Sequence, residues 1–284
     1  MGYHCGRITM NIAKKAYEIR KQTLEMIYRA KTGHIGGDFS VADVLTLLYN
    51  GEMNISPERV DAPDRDRFVL SKGHTADCLY AVLADRGYFD KKELETYCQF
   101  KTKLIGHPNN KVNGIEMNSG SLGHGLSVCV GMAIAAKMDA APYRVYTVMG
   151  DGEQAEGSIW EAAMSAAHYK LDNLCAVVDR NHLQISGTTD EVMSSSVLEE
   201  KWRGFGWNVL TVEDGNDIEQ LKAAFRLARV CKGRPTVLIA NTVKGKGVSF
   251  MENNVKWHHK VPTEQEYMQA KAELEERIES YGVD

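Results

Sequence analysis
Residues 149–157 read M-G-D-G-E-Q-A-E-G, and residues 174–187 read L-C-A-V-V-D-R-N-H-L-Q-I-S-G. Each follows or opens on an apolar run and carries an oxygen-bearing side chain past it, Asp151 in the first and Asn181 in the second. The segment between them is the length of a strand–helix–strand crossover, which brings two strand tips to one edge of a parallel sheet. Hard oxygen ligands at such an edge, beside a glycine turn opening a helix, suit Mg²⁺ holding a diphosphate. Asp151, Asn181 and the backbone carbonyl of Leu183 offer three protein oxygens. Two diphosphate oxygens and a water then complete the octahedron.

Working outward, strand-like runs over 144–149, 174–178, 207–212 and 236–240 alternate with helical patterns over 155–169 and 218–230. This alternation predicts an α/β fold with a doubly wound, mainly parallel sheet. Upstream, an amphipathic helix covers 11–30. Gly33, Gly36 and Gly37 break it, and Ser40 caps a second helix with Asp43 in its first turn. A short strand at 67–70 runs into S-K-G-H, a helix follows over 76–86, and 100–120 is irregular. Small residues at Gly125, Ser127, Gly131 and Ala135 give the helix over 125–137 a face open to close approach. Thr263 and Glu266 form a capping box for a last helix over about 263–282. Without a repeat, low-complexity tract or linker, residues 1–284 read as one domain.

The chain has 284 residues, is 43% hydrophobic and carries a net charge of −4 with its basic residues spread out, so nothing favours nucleic acid or an anionic membrane. No apolar run approaches the ~20 residues that span a bilayer. The first 22 residues lack an apolar signal core, and Gly6 stands where N-myristoylation wants Ser or Thr. Cys5, Cys78, Cys98, Cys129, Cys175 and Cys231 form no C-x-x-C pair, as expected of reduced thiols in a cytoplasmic protein.

Each motif has a plainer reading. G-D-G can be a tight turn with a capping Asp, and Asn181 a turn residue tolerant of left-handed geometry. G-D-G-E-Q-A also fits the G-x-G-x-x-A dinucleotide fingerprint of an NAD-binding oxidoreductase. Against that, a carboxylate inside the turn repels a pyrophosphate, and Asp179 lies later than the ~20 residues wanted for a ribose-binding acid. Single histidines in glycine-bounded loops are more often structural than catalytic. K-G-K-G at 244–247 lacks the Walker pattern and reads as a mobile loop, an active-site lid. Trp202, Trp207 and Trp257 read as packing.

Together the motifs resemble the N-terminal, diphosphate-binding half of transketolase, a thiamine diphosphate enzyme. G-D-G followed by N is that cofactor's signature. G-H-I-G-G at 33–37, S-K-G-H at 71–74, G-H-P at 106–108, S-G-S-L-G-H-G at 119–125 and the histidine of K-W-H at 256–258 follow in the family's order along almost the whole chain. The resemblance implies that His34, His107 and His258 line the substrate channel and move protons, with His74 near the diphosphate and the donor carbon. It places Gly120 and Leu122 against the cofactor rings, Gly150 and the Gly152 N–H at the phosphates, and Glu156 at an interface linking two active sites. His74, His258 and Glu156 count among the cofactor contacts as well. Asp151, Asn181 and Leu183 hold Mg²⁺, for which Ca²⁺ or Mn²⁺ substitutes.

The family's pyrimidine-binding part, with its glutamate, stacking aromatics and phosphate-binding basic residues, has no counterpart here. The resemblance therefore implies a split transketolase. A separate C-terminal subunit supplies the glutamate, in a hetero-oligomer such as a heterotetramer that passes a two-carbon ketol unit from a ketose to an aldose phosphate. Ser121, His124 and the His259-Lys260 pair depart from the common pattern. They leave open pentose phosphates, branched sugars and sulfonated sugars. A deoxyxylulose-phosphate synthase-like or other thiamine-dependent enzyme is the nearest alternative, and the full set of histidines favours transketolase over it. A non-catalytic subunit is a further alternative that Asp151, Asn181 and the four histidines argue against.

Overall fold
A computed structural model describes residues 10–194 and 196–282. Cys5 and the readings made on the first nine residues lie outside these. The sheet is fully parallel, with β1 (Arg67–Leu70), β2 (Val145–Gly150), β3 (Leu174–Arg180), β6 (Asn208–Val212) and β7 (Thr236–Asn241) in the order β1-β2-β3-β7-β6. A two-stranded antiparallel hairpin, β4 (Leu183–Gln184) with β5 (Gly187–Thr188), stands beside it.

Alternating strand residues feed two separate cores, the mark of a sheet covered on both faces. Phe68, Leu70, Tyr146, Val148, Cys175, Val177 and Leu238 pack on one side with α2 (Ile35–Leu47), α3 (Ala76–Asp85) and α8 (Ile218–Val230), beside α1 (Ile12–Ala30). Val69, Val145, Met149, Ala176, Val178, Val237 and Ile239 pack on the other with α4 (His124–Met138), α5 (Gly157–His168) and α7 (Leu198–Gly204). A third cluster joins Leu24 and Ile27 of α1, Phe39 of α2, Val248, Met251 and Trp257 to Ala270 and Leu274 of α9 (Glu264–Ser280). The short α6 (Thr189–Met193) follows the hairpin, and both it and α9 begin on capping boxes, Thr188/Glu191 and Thr263/Glu266.

Two local expectations are corrected. The second helix starts at Ile35, five residues before Ser40, and contains Gly36 and Gly37. The first helix ends at Ala30 on Lys31 in the left-handed conformation, and of the three glycines only Gly33, at φ +152°, lies in the break between the helices. Gly36 lies where a Cβ would come 2.7 Å from the Trp257 carbonyl oxygen, so its absent side chain serves close packing rather than termination. Ser40 sits mid-helix, and its hydroxyl donates to Asp179 Oδ2 at 2.6 Å. The 244–247 loop is pinned, not a free lid. Gly245 N–H donates to the Gly36 carbonyl, Asn253 N–H to that of Lys244, and the Lys244 side chain is buried.

Candidate active site
Parallel strands aim their carboxyl ends at one edge, and the crevice there is the usual ligand position in an open α/β sheet. The register sets Gly150 of β2 beside Asp179 of β3, so the residues that follow, Asp151 and Asn181, emerge at neighbouring tips as the sequence predicts. They line a cavity of about 320 Å³ together with Lys72, His74, Gly120, Leu122, Gly150, Gly152, Glu153, Leu183, Gln184, Ile185, Lys244 and His258.

The cavity floor is charged and buried. Asp179 forms an ion pair with Lys72, accepts from Ser40 and Thr242, and takes a 3.2 Å hydrogen bond from the Asn181 amide. Burial works against its negative charge, but the Lys72 ammonium and these donors hold the carboxyl below its ordinary value. That same bond turns Asn181 Oδ1 outward, where it accepts Leu183 N–H at 3.2 Å. Asp151 accepts His182 N–H at 2.6 Å and Gly152 N–H at 2.9 Å. Burial, then the neighbouring Asp179 charge, pushes the Asp151 carboxyl up. Lys244 Nζ donates to the Leu183 carbonyl at 3.2 Å and joins no ion pair among the described residues. Burial and the Lys72 charge lower its pKa to about 8.

Glu153 ties the glycine loop to the β2 tip. Its carboxylate accepts from the Ser71 hydroxyl, from Gly123 N–H at 2.8 Å and from Gly150 N–H at 2.9 Å. Gly120 holds φ +134°, and a Cβ there would sit 2.6 Å from the His107 ring. A side chain would therefore push that imidazole away.

Above the floor stand the histidines. Ring centroids of His34 lie 5.4 Å from His74, 6.1 Å from His107, 5.9 Å from His258 and 4.5 Å from His259, and His74 stacks 5.5 Å from His258. None of these rings hydrogen-bonds a carboxylate among the described residues. Burial is the first cause of the lowered basicity of His34, His74, His107 and His258, with positive neighbours such as Lys72 and Lys244 behind it at three of them. His34 falls to about 4, His258 to about 3, His74 well below its usual range and His107 below it, so all four are neutral at pH 7. The Nδ1 atoms of His34 and His258 are buried without a hydrogen-bond partner.

The structure thus brings together His34, His74, His107, His258, Gly120, Leu122, Gly150, Asp151, Gly152, Asn181 and Leu183. Glu156 is not in the cavity. It is exposed at the start of α5, against Gly123. Gly152 N–H, expected at a phosphate, donates to Asp151 Oδ1. Sequence reasoning misses Lys72, Glu153 and Lys244. Lys72 and Lys244 lie inside the S-K-G-H and K-G-K-G motifs, where two fully buried lysines become visible only as partners of acids and carbonyls distant in sequence. Asp179 enters the sequence argument only as a ribose ligand. Buried under Lys72, Ser40 and Thr242, it cannot reach one, which removes the dinucleotide reading.

Comparison with known proteins agrees with this geometry. Residues 12–281 match the family described as transketolase, thiamine diphosphate binding domain. The chain is 52% identical over 260 residues to one of the subunits of the apulose-4-phosphate transketolase from Phocaeicola vulgatus, covering 92% of each. It is 44% identical to a 6-deoxy-6-sulfo-D-fructose transketolase subunit of a Clostridium species, covering 94% of this chain and 97% of that one. The transketolase structure from Leishmania mexicana superposes with a TM-score of 0.89 at 29% identity. The match covers 97% of this chain and 43% of that one, so the chain spans under half of that transketolase. Sheet, cavity and similarity agree: the chain belongs to the transketolase family, as a counterpart of the N-terminal, thiamine diphosphate-binding subunit of transketolases divided between two chains.

Proposed function
We propose that this chain, as one α/β domain, is the diphosphate-binding half of a cytoplasmic transketolase, and that a separate C-terminal subunit completes it in a heterotetramer. The reaction is transfer of a two-carbon ketol unit from a ketose to an aldose phosphate. The 52% identity to an apulose-4-phosphate transketolase subunit makes apulose-4-phosphate the first substrate to try. A sulfonated ketose and ordinary pentose phosphates come next. Buried free thiols at Cys78, Cys129 and Cys175 support a reducing compartment, and no helix among the described residues is long and apolar enough to cross a membrane.

The residues present fit thiamine diphosphate with a divalent cation. No three His, Cys, Asp or Glu side chains among the described residues converge as a metal site, so a cation here leans on one carboxylate, Asp151, with Asn181 Oδ1 and the Leu183 carbonyl. Burial and Asp179 push Asp151 up despite the Lys72 charge, and a cation on its oxygens would favour the ionised form. The Leu183 carbonyl has a second lone pair beside the one Lys244 uses. Lys244 is placed to meet a diphosphate oxygen, and the orphaned imidazole nitrogens await a polar ligand. The cofactor supplies the electron sink for breaking the ketose carbon–carbon bond. His34, His107 and His258, held neutral, accept a proton from a sugar hydroxyl and return it, while His74 orients the donor end. Glu156 faces outward beside the glycine loop, where the partner's glutamate-bearing domain would close over the pyrimidine.

The observation that carries this reading is the pairing of Asp151 and Asn181 at adjacent strand tips beneath neutral histidines. The test is co-expression with a C-terminal subunit, followed by ketol-transfer assays over the three sugar classes. Thiamine diphosphate and Mg²⁺ dependence is expected, with loss of activity in Asp151→Ala. A purified pair that neither binds the cofactor with Mg²⁺ nor transfers ketol units from any of these sugars overturns it.

A further inference from the structure
Behind His34, away from the cavity, two carboxyl groups face one another inside the protein. Asp38 lies in α2 and Asp77 in α3, and both are fully buried. They are within hydrogen-bond reach of each other. Asp77 is surrounded by donors: Oδ2 accepts His34 N–H at 3.1 Å and Oδ1 accepts the Tyr97 hydroxyl. Asp38 Oδ1 accepts Cys78 N–H at 3.1 Å, while Asp38 Oδ2 is buried with no donor among the described residues. An ionised carboxylate cannot sit with an unmet oxygen against a second carboxylate in a dry interior. One proton on Asp38 Oδ2, donated to Asp77, satisfies every oxygen at once.

We infer that Asp38 and Asp77 form a proton-sharing pair, the proton residing on Asp38, and that this pair positions His34 for the ketol transfer proposed above. Asp77 is the anion of the pair because it holds the other two donors. Burial raises both carboxyls, Asp38 well above its ordinary range and Asp77 to about 6. The charged and titratable groups around the pair agree with a single negative charge. Those groups are Lys72 and Lys244, the Arg20–Asp43 ion pair, the Cys78 and Cys98 thiols, and the Tyr80 and Tyr97 hydroxyls. The pair reaches His34 directly. Its backbone N–H ends on Asp77, and Gly33 beside it leaves only 2.6 Å between a would-be Cβ and Asp77 Oδ2. It reaches His107 at one remove. Tyr97 lies 6.2 Å from the Tyr80 ring, and the Tyr80 hydroxyl contacts the carbonyls of Ile105 and His107 at 3.0 and 2.8 Å. Neither carboxyl lines the cavity, so both are positioning residues.

The proposal predicts that the two acids are unequal. Asp38→Asn reproduces the protonated acid, since its Oδ1 accepts from Cys78 and its Nδ2 donates to Asp77. Asp77→Asn replaces the anion with a neutral amide whose Nδ2 faces either the His34 N–H, which it repels, or the Tyr97 hydroxyl, which must then turn from donor to acceptor. In the complex with the C-terminal subunit, Asp38→Ala lowers kcat about tenfold and Asp38→Asn restores it to within about twofold. Asp77→Asn lowers kcat about 100-fold with KM changed far less, the order of loss that follows a misplaced catalytic group. Tyr97→Phe, which removes one donor and keeps the packing, gives a smaller kcat loss should Asp77→Asn fail to fold.

A second readout needs no activity. A carboxyl raised on folding stabilises below its unfolded pKa and loses that contribution as pH rises through its folded value. The melting temperature of the full chain therefore falls more steeply with rising pH in wild type than in Asp38→Asn, and the gap widens with pH. If transfer is absent but the gap appears, the assigned reaction fails and the pair stands. Equal damage from Asp38→Asn and Asp77→Asn, or a melting gap independent of pH, overturns the pair.

Discussion
The cavity floor and the histidine wall are built on opposite electrostatic plans. The floor is ionic. Asp179 and Lys72 neutralise each other, and Ser40, Thr242 and Asn181 satisfy the remaining oxygens. The wall is uncharged, with His34, His74, His107 and His258 crowded together and kept from protonation by burial. The floor depends on its partners to exist, because a buried charge is tolerable only when paired. The wall's rings make no hydrogen bonds to carboxylates among the described residues, so they hold the fold less and remain available to a ligand. The floor holds the fold and the anchoring oxygens, and the wall is left to proton transfer.

That separation is open to attack in four ways, in falling order of effect on stability. Asp179→Asn strands Lys72 in the interior and costs about 3–5 kcal/mol. Urea unfolding measures it, and a loss near zero would show the ion pair to be dispensable. Asp151→Ala leaves the His182 and Gly152 N–H groups without their charged acceptor and costs about 1.5–3 kcal/mol. It also removes Mg²⁺-dependent thiamine diphosphate binding in calorimetry. His258→Gln changes stability by under about 1 kcal/mol while lowering kcat about 10²–10⁴-fold. A large drop in unfolding energy would erase the distinction between wall and floor.

The fourth is acid. His34 and His258 have folded pKa values of about 4 and 3 against an ordinary 6.5, so their contribution is present above 6.5 and fades as pH falls toward those values. The His34→Gln, His258→Gln double variant therefore loses less stability than wild type between about pH 6.5 and 4. Parallel acid profiles for the two proteins would show that the imidazoles are not held neutral by the fold.

Floor and wall are not equally legible in sequence. Asp151 and Asn181 stand after strands with continuous apolar runs, so their meeting follows from strand polarity and crossover length. The histidines are legible only as members of motifs in a known order, because nothing in a lone G-H-P or K-W-H reveals a neighbour about 6 Å away. Lys72 and Lys244 escape because lysine is ordinarily a surface residue. Their burial depends on Asp179 and the Leu183 carbonyl, which are remote in the chain. The start of α2 is hidden for a related reason. Its glycines answer to the Trp257 carbonyl and to the His74–Thr75 segment, so local helix propensity loses to tertiary packing. Glu153 and Glu156 both fit a first helical turn, and only the three-dimensional path of the glycine loop separates them.

The third hydrophobic cluster gives the last helix leverage over the pocket. Leu274 and Ala270 of α9 brace the same apolar patch that seats Trp257, and the very next residue is His258. Shortening or loosening that distal helix will tilt an imidazole it never touches, so a tag or deletion near the carboxyl terminus acts as a lever on turnover rather than as a neutral edit.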